Sequence, residues 1–261
     1  MNETIHLIEN RKSIRAYDKK PLTSEHIDLI INGAMRAPTA GNMMHYSIIE
    51  ITDQDKKEQL VKTCDNQPFI AKAPLVLLFL ADMQRWYDFF EYSLVPDFCH
   101  DNNLEFRPPQ ESDLLLACCD ALVAAQNAVI TAESLGIGSC YIGDIMENIE
   151  IHRQMFNLPY WVFPIILICF GFPTASQKKR KMTPRFPKKF VHFKDTYSKI
   201  DGKDFEEMLT VHFGGETKKV TFHKNARNIG QHVYLRKTGS DFAAEMSRSV
   251  KVALTDWIKK T

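Results

Sequence analysis

Two short stretches carry side chains suited to holding a polar or charged group. The first, Arg11-Lys12-Ser13-Ile14-Arg15, sets three cations and a hydroxyl in five residues. In extended chain alternate side chains point the same way, which puts Arg11, Ser13 and Arg15 on one edge. Two guanidinium forks and a hydroxyl suit a phosphate, which arginine grips bidentately through charge-assisted hydrogen bonds. By composition alone the stretch also reads as a solvated charged turn. The second, Ala37-Pro38-Thr39-Ala40-Gly41-Asn42, breaks a helix sharply before a strand. Its small residues and free amide suit a flat polar ring edge; taken alone, it is a good turn.

Other chemistries find no matching residues. Gly136-Ile137-Gly138-Ser139-Cys140-Tyr141-Ile142-Gly143 is glycine-rich, but it is not GxGxxG and it follows a helix rather than a strand. There is no P-loop and no GxSxG elbow. The nine histidines form neither HExxH nor a clustered set, so no metal site is expected. If the chain is an enzyme, a bound organic cofactor supplies the reactive atom.

Bulk properties narrow the partners. A net charge of +1 argues against nucleic acid as a ligand through bulk electrostatics. The opening Met1-Asn2-Glu3-Thr4-Ile5-His6 has neither the basic nor the apolar region of a secretory signal. No uninterrupted apolar run reaches the ~18 residues of a membrane span. The six cysteines form no CxxC pair, which fits a reduced, cytoplasmic compartment. Cys118-Cys119 is expected in the core, since free cysteine packs as a small hydrophobe.

The elements that must position these stretches follow from periodicity. Residues 4–10 read as a short helix. Thr23 caps a second helix whose Ile27, Ile30, Ile31 and Ala34 share one face, and Pro38 ends it. Residues 46–51 read as a strand, and Asp53 caps a helix ending near Cys64. The runs 75–81 and 163–171 are continuously apolar, as strands covered on both faces would be. Residues 83–112 are aromatic-rich and expected to be an irregular excursion, shaping a pocket or lidding the core. The longest helix runs from Ser112 or Asp113 to Gly136 and is apolar on most sides, so a subunit interface would complete its burial. Residues 201–261 read as a helical extension, with Phe242, Met246, Val250, Leu254 and Trp257 on one face of the last helix.

Four separated motifs together resemble the nitroreductase superfamily. They are Arg11-x-Ser13-x-Arg15, Ala37-Pro38-Thr39-x-x-Asn42, Gly136-x-Gly138-Ser139-x-Tyr141-Ile142-Gly143, and Pro184-Arg185-x-Pro187 followed by Val191-His192 and Tyr197. The run 66–74 before a buried strand also fits. The resemblance covers residues 4–200 and points to the longer, oxygen-insensitive, flavin-reductase-like branch.

The resemblance implies an α+β fold, with a mainly antiparallel central sheet wrapped by helices and two chains intertwined as a homodimer. It implies FMN as cofactor, at the interface of a 1–200 domain, with 201–261 packing on the core or the partner. Arg11, Lys12, Ser13 and Arg15 would contact its phosphate, ribityl chain and ring edge. Thr39, Ala40 and Asn42 would come from the partner chain, and Gln67 would lie beside the ring. Tyr141, Ile142 and Gly143 would run along the edge near N5, and Arg185 with Thr183 or Lys181 would join the phosphate end. NADPH or NADH would donate hydride through N5 to nitroaromatics, quinones or flavins. Arg15 and Lys12 would support the charge of the reduced ring; no side-chain acid is required.

The sequence departs from the family pattern at four places. Lys12 stands where many relatives have Arg, Met44-His45 replaces a polar-proline pair, Asp144 follows Gly143 in place of a second glycine, and Thr183 replaces a frequent Lys. The Lys178–Lys181 cluster pairs with an NADPH 2′-phosphate or is a solvated loop. Open alternatives are another reductase reaction on the same scaffold (flavin reduction, dehalogenation), a non-catalytic FMN-binding or sensing module, and a structural dimer.

Overall fold

The computed structural model describes residues 2–212 and 221–259. The chain forms two compact units, Met1–Arg180 with Glu245–Thr261, and Lys181–Ala244.

The first unit is built on a four-stranded sheet of order β1-β2-β4-β3: β1 Tyr46–Glu50, β2 Leu75–Asp82, β3 Gly138–Ile142 and β4 Val162–Gly171. All neighbouring pairs are antiparallel. Both apolar runs are the central strands. Alternation along β2 sends Leu75, Leu77 and Phe79 to one core and Val76, Leu78 and Leu80 to the other.

On the first face lie α2 (Ser24–Met35) and α7 (Glu111–Ser134). Ala121, Ala124, Ala125, Ala128 and Ala132 of α7 are fully buried, and their small side chains let the helix lie close to the sheet. Gly33 serves the α2 crossing, where a Cβ would meet Thr131 Oγ1 at 2.1 Å. On the opposite face lie α3 (Gln54–Thr63), α4 (Phe69–Lys72) and α8 (Ile149–Phe156). Thr23 caps α2 through the backbone N–H of His26, and Asp53 caps α3 through those of Asp55 and Lys56.

The structure differs from the sequence-based expectations in several places. The stretch 83–112 is not wholly irregular: it contains α5 (Gln84–Tyr92) and α6 (Val95–Asp101). Trp86, Phe89 and Phe90 meet edge-on or tilted there, and such ring contacts stabilise a helix that propensity alone leaves marginal. Cys118 is half-buried and Cys119 exposed, because they sit on the side of α7 turned away from the sheet. That side also exposes Leu115, Leu116, Leu122 and Val123. By length and composition α7 is apolar enough to cross a membrane, yet its alanine face packs on the sheet and Asp120 is buried in its middle.

The compact units divide after Arg180 and after Ala244. The last helix, α12 (Asp241–Lys259), returns to the first unit from Glu245 onward. Its Ala253 and Trp257 are buried with Leu114, Ala117, Trp161 and Phe163, and Trp161 Nε1 donates to Trp257 O at 3.0 Å. The second unit begins at Lys181 and contains α10 (Gly202–His212) and α11 (Ile229–Arg236). Lys189 reaches Glu207 at 2.6 Å within it.

Candidate active site

The basic segment forms the edge of the first unit. It lies parallel to β3 through a Ser13–Ser139 bridge, and Ile14 N donates to Ser139 O at 2.8 Å. Extended backbone was expected there. Gly138 permits the approach: a Cβ would stand 2.3 Å from Ile14 Cγ1. Ile14 is buried, so the intervening side chains are turned outward.

Arg11, Ser13 and Arg15 all lie beside Cys140, while the two guanidiniums pack on different rings. Arg11 Cζ lies 5.7 Å from the Tyr141 ring centroid, and its Nε and Nη2 are buried without a hydrogen-bond partner. It borders a cavity of about 140 Å³ shared with Gln126 and Glu133 of α7. Burial pushes the Glu133 carboxyl up to about 7, against the pull of Arg11 and Lys12. Tyr141 Oη donates to Gln126 Oε1 at 2.9 Å. Arg15 is exposed and turns instead toward α4, with Cζ 5.9 Å from the Phe69 ring; both line a cleft of about 370 Å³ with Tyr17, Pro68 and Lys72. Lys12 is tied to the end of α9 (Ala175–Lys179) and just beyond it, donating to Lys178 O at 2.8 Å and Arg180 O at 2.9 Å. Arg180 in turn donates to Ser13 O. Part of the Lys178–Lys181 cluster is therefore a clasp on the basic segment.

The second stretch is organised by a residue whose sequence signal was only a polar position on an apolar helix. Asp120, 5% exposed, accepts from Thr39 Oγ1, from Ala40 N at 3.1 Å, and from His45 N and Nδ1 at 3.2 and 3.1 Å. Burial alone would raise its pKa; the bonds from Thr39, Ala40 and His45 outweigh that and hold it below the usual carboxylate value. Thr39 Oγ1 accepts from Met44 N at 2.8 Å, and Trp86 Nε1 donates to Met43 O at 2.7 Å. These bonds hold Asn42 and Met44 at positive φ of 59° and 50°, backbone that costs energy outside glycine. His45, noted only as a departure, is thus a fixed part of the loop.

Gln67 sits after two successive left-handed residues, Asp65 and Asn66, at φ 54° and 50°. Its Nε2 donates to Cys64 O at 3.1 Å and to Asp144 Oδ2 at 2.9 Å. Asp144 belongs to the turn that follows Tyr141, Ile142 and Gly143. His152 braces that turn, with Nδ1 donating to Ile145 O at 2.8 Å, and Ser249 Oγ donates to Met146 O at 2.7 Å. Ile142 is buried in the second core, so only Tyr141 and the backbone here face outward. Glu147, which sequence reasoning missed, is 6% exposed with Oε1 unpartnered. Burial, then Asp144, Asp65 and Glu245, push its carboxyl up to about 7.

Thr183 and Arg185 belong to the second unit, where Arg185 Nη1 donates to Thr183 O at 3.2 Å. Among the described residues no cluster of side chains is suited to a metal.

Within one chain the two predicted halves are far apart. The Thr39 loop hangs on Asp120 and Arg11 lies by Glu133. On a helix rising about 1.5 Å per residue these anchor points are about 20 Å apart.

Comparison with known proteins gives a consistent match. Residues 8–172 match the model of the Nitroreductase family. An FMN reductase (NADPH) of Bacillus subtilis is 30% identical, over 100% of this chain and 98% of its own length. The oxygen-insensitive NADPH nitroreductase of Salmonella typhimurium is 30% identical, over 87% of this chain and 90% of its own. Among solved structures, NfrA1 nitroreductase from B. subtilis superposes with a TM-score of 0.75 at 26% identity, covering 96% of this chain and 98% of that one.

Proposed function

Because this chain belongs to the nitroreductase family, we propose that it is an FMN-dependent oxidoreductase drawing electrons from NAD(P)H. The observation that carries this reading is Arg11. Among the described residues its Nε and Nη2 are buried with no acceptor, an arrangement that is costly unless an anion completes it. Arg11, Ser13 and Arg15 would hold the phosphate and ribityl chain from the sheet edge, with Lys12 bracing the segment through α9. Tyr141, Ile142 and Gly143 would line the ring edge, with Gln67 beside it. Thr183 and Arg185 are proposed as phosphate ligands on the family resemblance alone. Bound FMN supplies a two-electron carrier that is reduced by hydride from a nicotinamide and reoxidised by a second small molecule.

The protein's part is positioning. Arg15, with the Lys12 charge held on the same segment, would supply positive potential to a reduced ring. Solvent protonates the product. The acceptors proposed are nitroaromatics, quinones and free flavins, with NADPH preferred as donor in line with the relatives' names. The working form is a homodimer in the cytoplasm. The exposed Leu115, Leu116, Leu122 and Val123 of α7 form the apolar stripe that a second copy would cover. Two antiparallel α7 helices would bring the Thr39 loop of one chain to the Arg11 end of the other.

Purified protein should show a flavin spectrum and oxidise NADPH when given a nitroaromatic or quinone. Arg11→Ala should weaken FMN binding about tenfold or more, with only a small loss of thermal stability from the Tyr141 contact. A colourless protein that takes up no added FMN would defeat the proposal.

A further inference from the structure

The carboxamide of Gln67 has both N–H bonds committed. One goes to the carbonyl of Cys64 at 3.1 Å and the other to Asp144 Oδ2 at 2.9 Å. A primary amide has two donors, so neither is left for a ligand. The orientation is fixed by chemistry: turned over, the amide would set Oε1 against a carbonyl and a carboxylate, which only accept. Among the described residues the side-chain hydrogen bonds of Gln67 are these two, both from Nε2, so Oε1 has no protein donor, and Gln67 is half-buried at the surface. The backbone reinforces the placement. The left-handed Asp65-Asn66 pair turns the chain so that Gln67 N donates to Val61 O at 3.2 Å. Asp144 is held on its own side, because its turn is pinned by His152 and Ser249. Cys64 O alone would leave one N–H free and the amide able to turn; the second, carboxylate acceptor locks it.

We propose that Asp144 is a positioning residue that fixes Gln67 with its carbonyl oxygen as the only free end, so that Gln67 recognises the cofactor by accepting a hydrogen bond from a ring N–H. This rests on the FMN assignment above. The oxidised isoalloxazine carries a single ring N–H, at N3. Gln67 therefore reads the imide N3–H and selects against a ring blocked there. A glycine at position 144 would leave the same glutamine free to present either end.

The test compares FMN with 3-methyl-FMN, each titrated onto the apoprotein by fluorescence quenching. Wild type should prefer FMN strongly. Asp144→Gly should lower that preference about fivefold, the size of one hydrogen bond, moving it toward the baseline set by Gln67→Leu. In the Gln67→Leu background the Asp144→Gly change should leave the preference unaltered. In the apoprotein the two side-chain N–H resonances of Gln67 should be distinct and slow to exchange, and should lose that protection in Asp144→Gly. A preference unchanged by Asp144→Gly, or changed equally with Gln67→Leu, overturns the inference while leaving the FMN assignment intact. Failure of wild type to bind either flavin defeats that assignment instead.

Discussion

A buried carboxyl group has opposite meanings at two places in this protein. Asp120 is surrounded by donors from Thr39, Ala40 and His45, and its ionised form is the one the fold favours. Its contribution to stability is present above its ordinary value of 3.8 and is lost as pH falls through the lower folded value. Asp120→Ala should strand the buried donors of His45 and Ala40 and destabilise the protein by about 3 kcal/mol in urea unfolding, with Asp120→Asn costing less. Glu147 is surrounded by Asp144, Asp65 and Glu245, and its neutral form is favoured up to about 7. Because its folded value is raised from 4.5, its contribution is fullest below 4.5 and is lost as pH rises toward 7. Glu147→Gln should therefore flatten the fall of melting temperature over that interval; an unchanged profile would show that Glu147 does not titrate there.

The elements act by bringing short motifs to fixed places. The basic segment is held at the proposed site because β3 gives it an edge to lie on, and it reaches that edge because residue 138 has no side chain. Gly138→Ala would place a methyl 2.3 Å from Ile14 Cγ1, against a side chain that is itself buried. Overpacking of this kind costs roughly 1–3 kcal/mol and here would be relieved by moving the segment that carries Arg11 and Arg15. The expected result is weaker FMN retention at near-normal secondary structure, partly restored by adding Ile14→Ala, as read by flavin content and circular dichroism. The Asp120 loop follows the same logic from the other side: α7 lends one carboxylate, and a strained turn at Asn42 and Met44 is held in shape.

At the scale of the molecule, α7 both organises and separates the proposed site. One of its faces is alanine packed on the sheet; the other is exposed leucine and valine. Leu122→Asp on that outer face, away from Asp120 and Gln126, should give a monomer in sedimentation equilibrium that keeps its secondary structure and loses FMN. A monomer that retained flavin would show that one chain completes the site.

Local chemistry made much of this legible in the sequence. Periodicity marked α2, α7 and the two central strands, since a covered strand must be apolar throughout and a packed helix must repeat its apolar face. The caps Thr23 and Asp53 and the extended basic segment were also readable, because each depends on near neighbours in the chain. What only the tertiary structure decided were pairings between distant residues: Asp120 with Thr39 and His45, Asp144 with Gln67, Lys12 with the end of α9, and Trp257 with Trp161. A polar side chain in a sequence states that it needs a partner, whereas the identity of that partner is fixed only when the fold closes the distance between them.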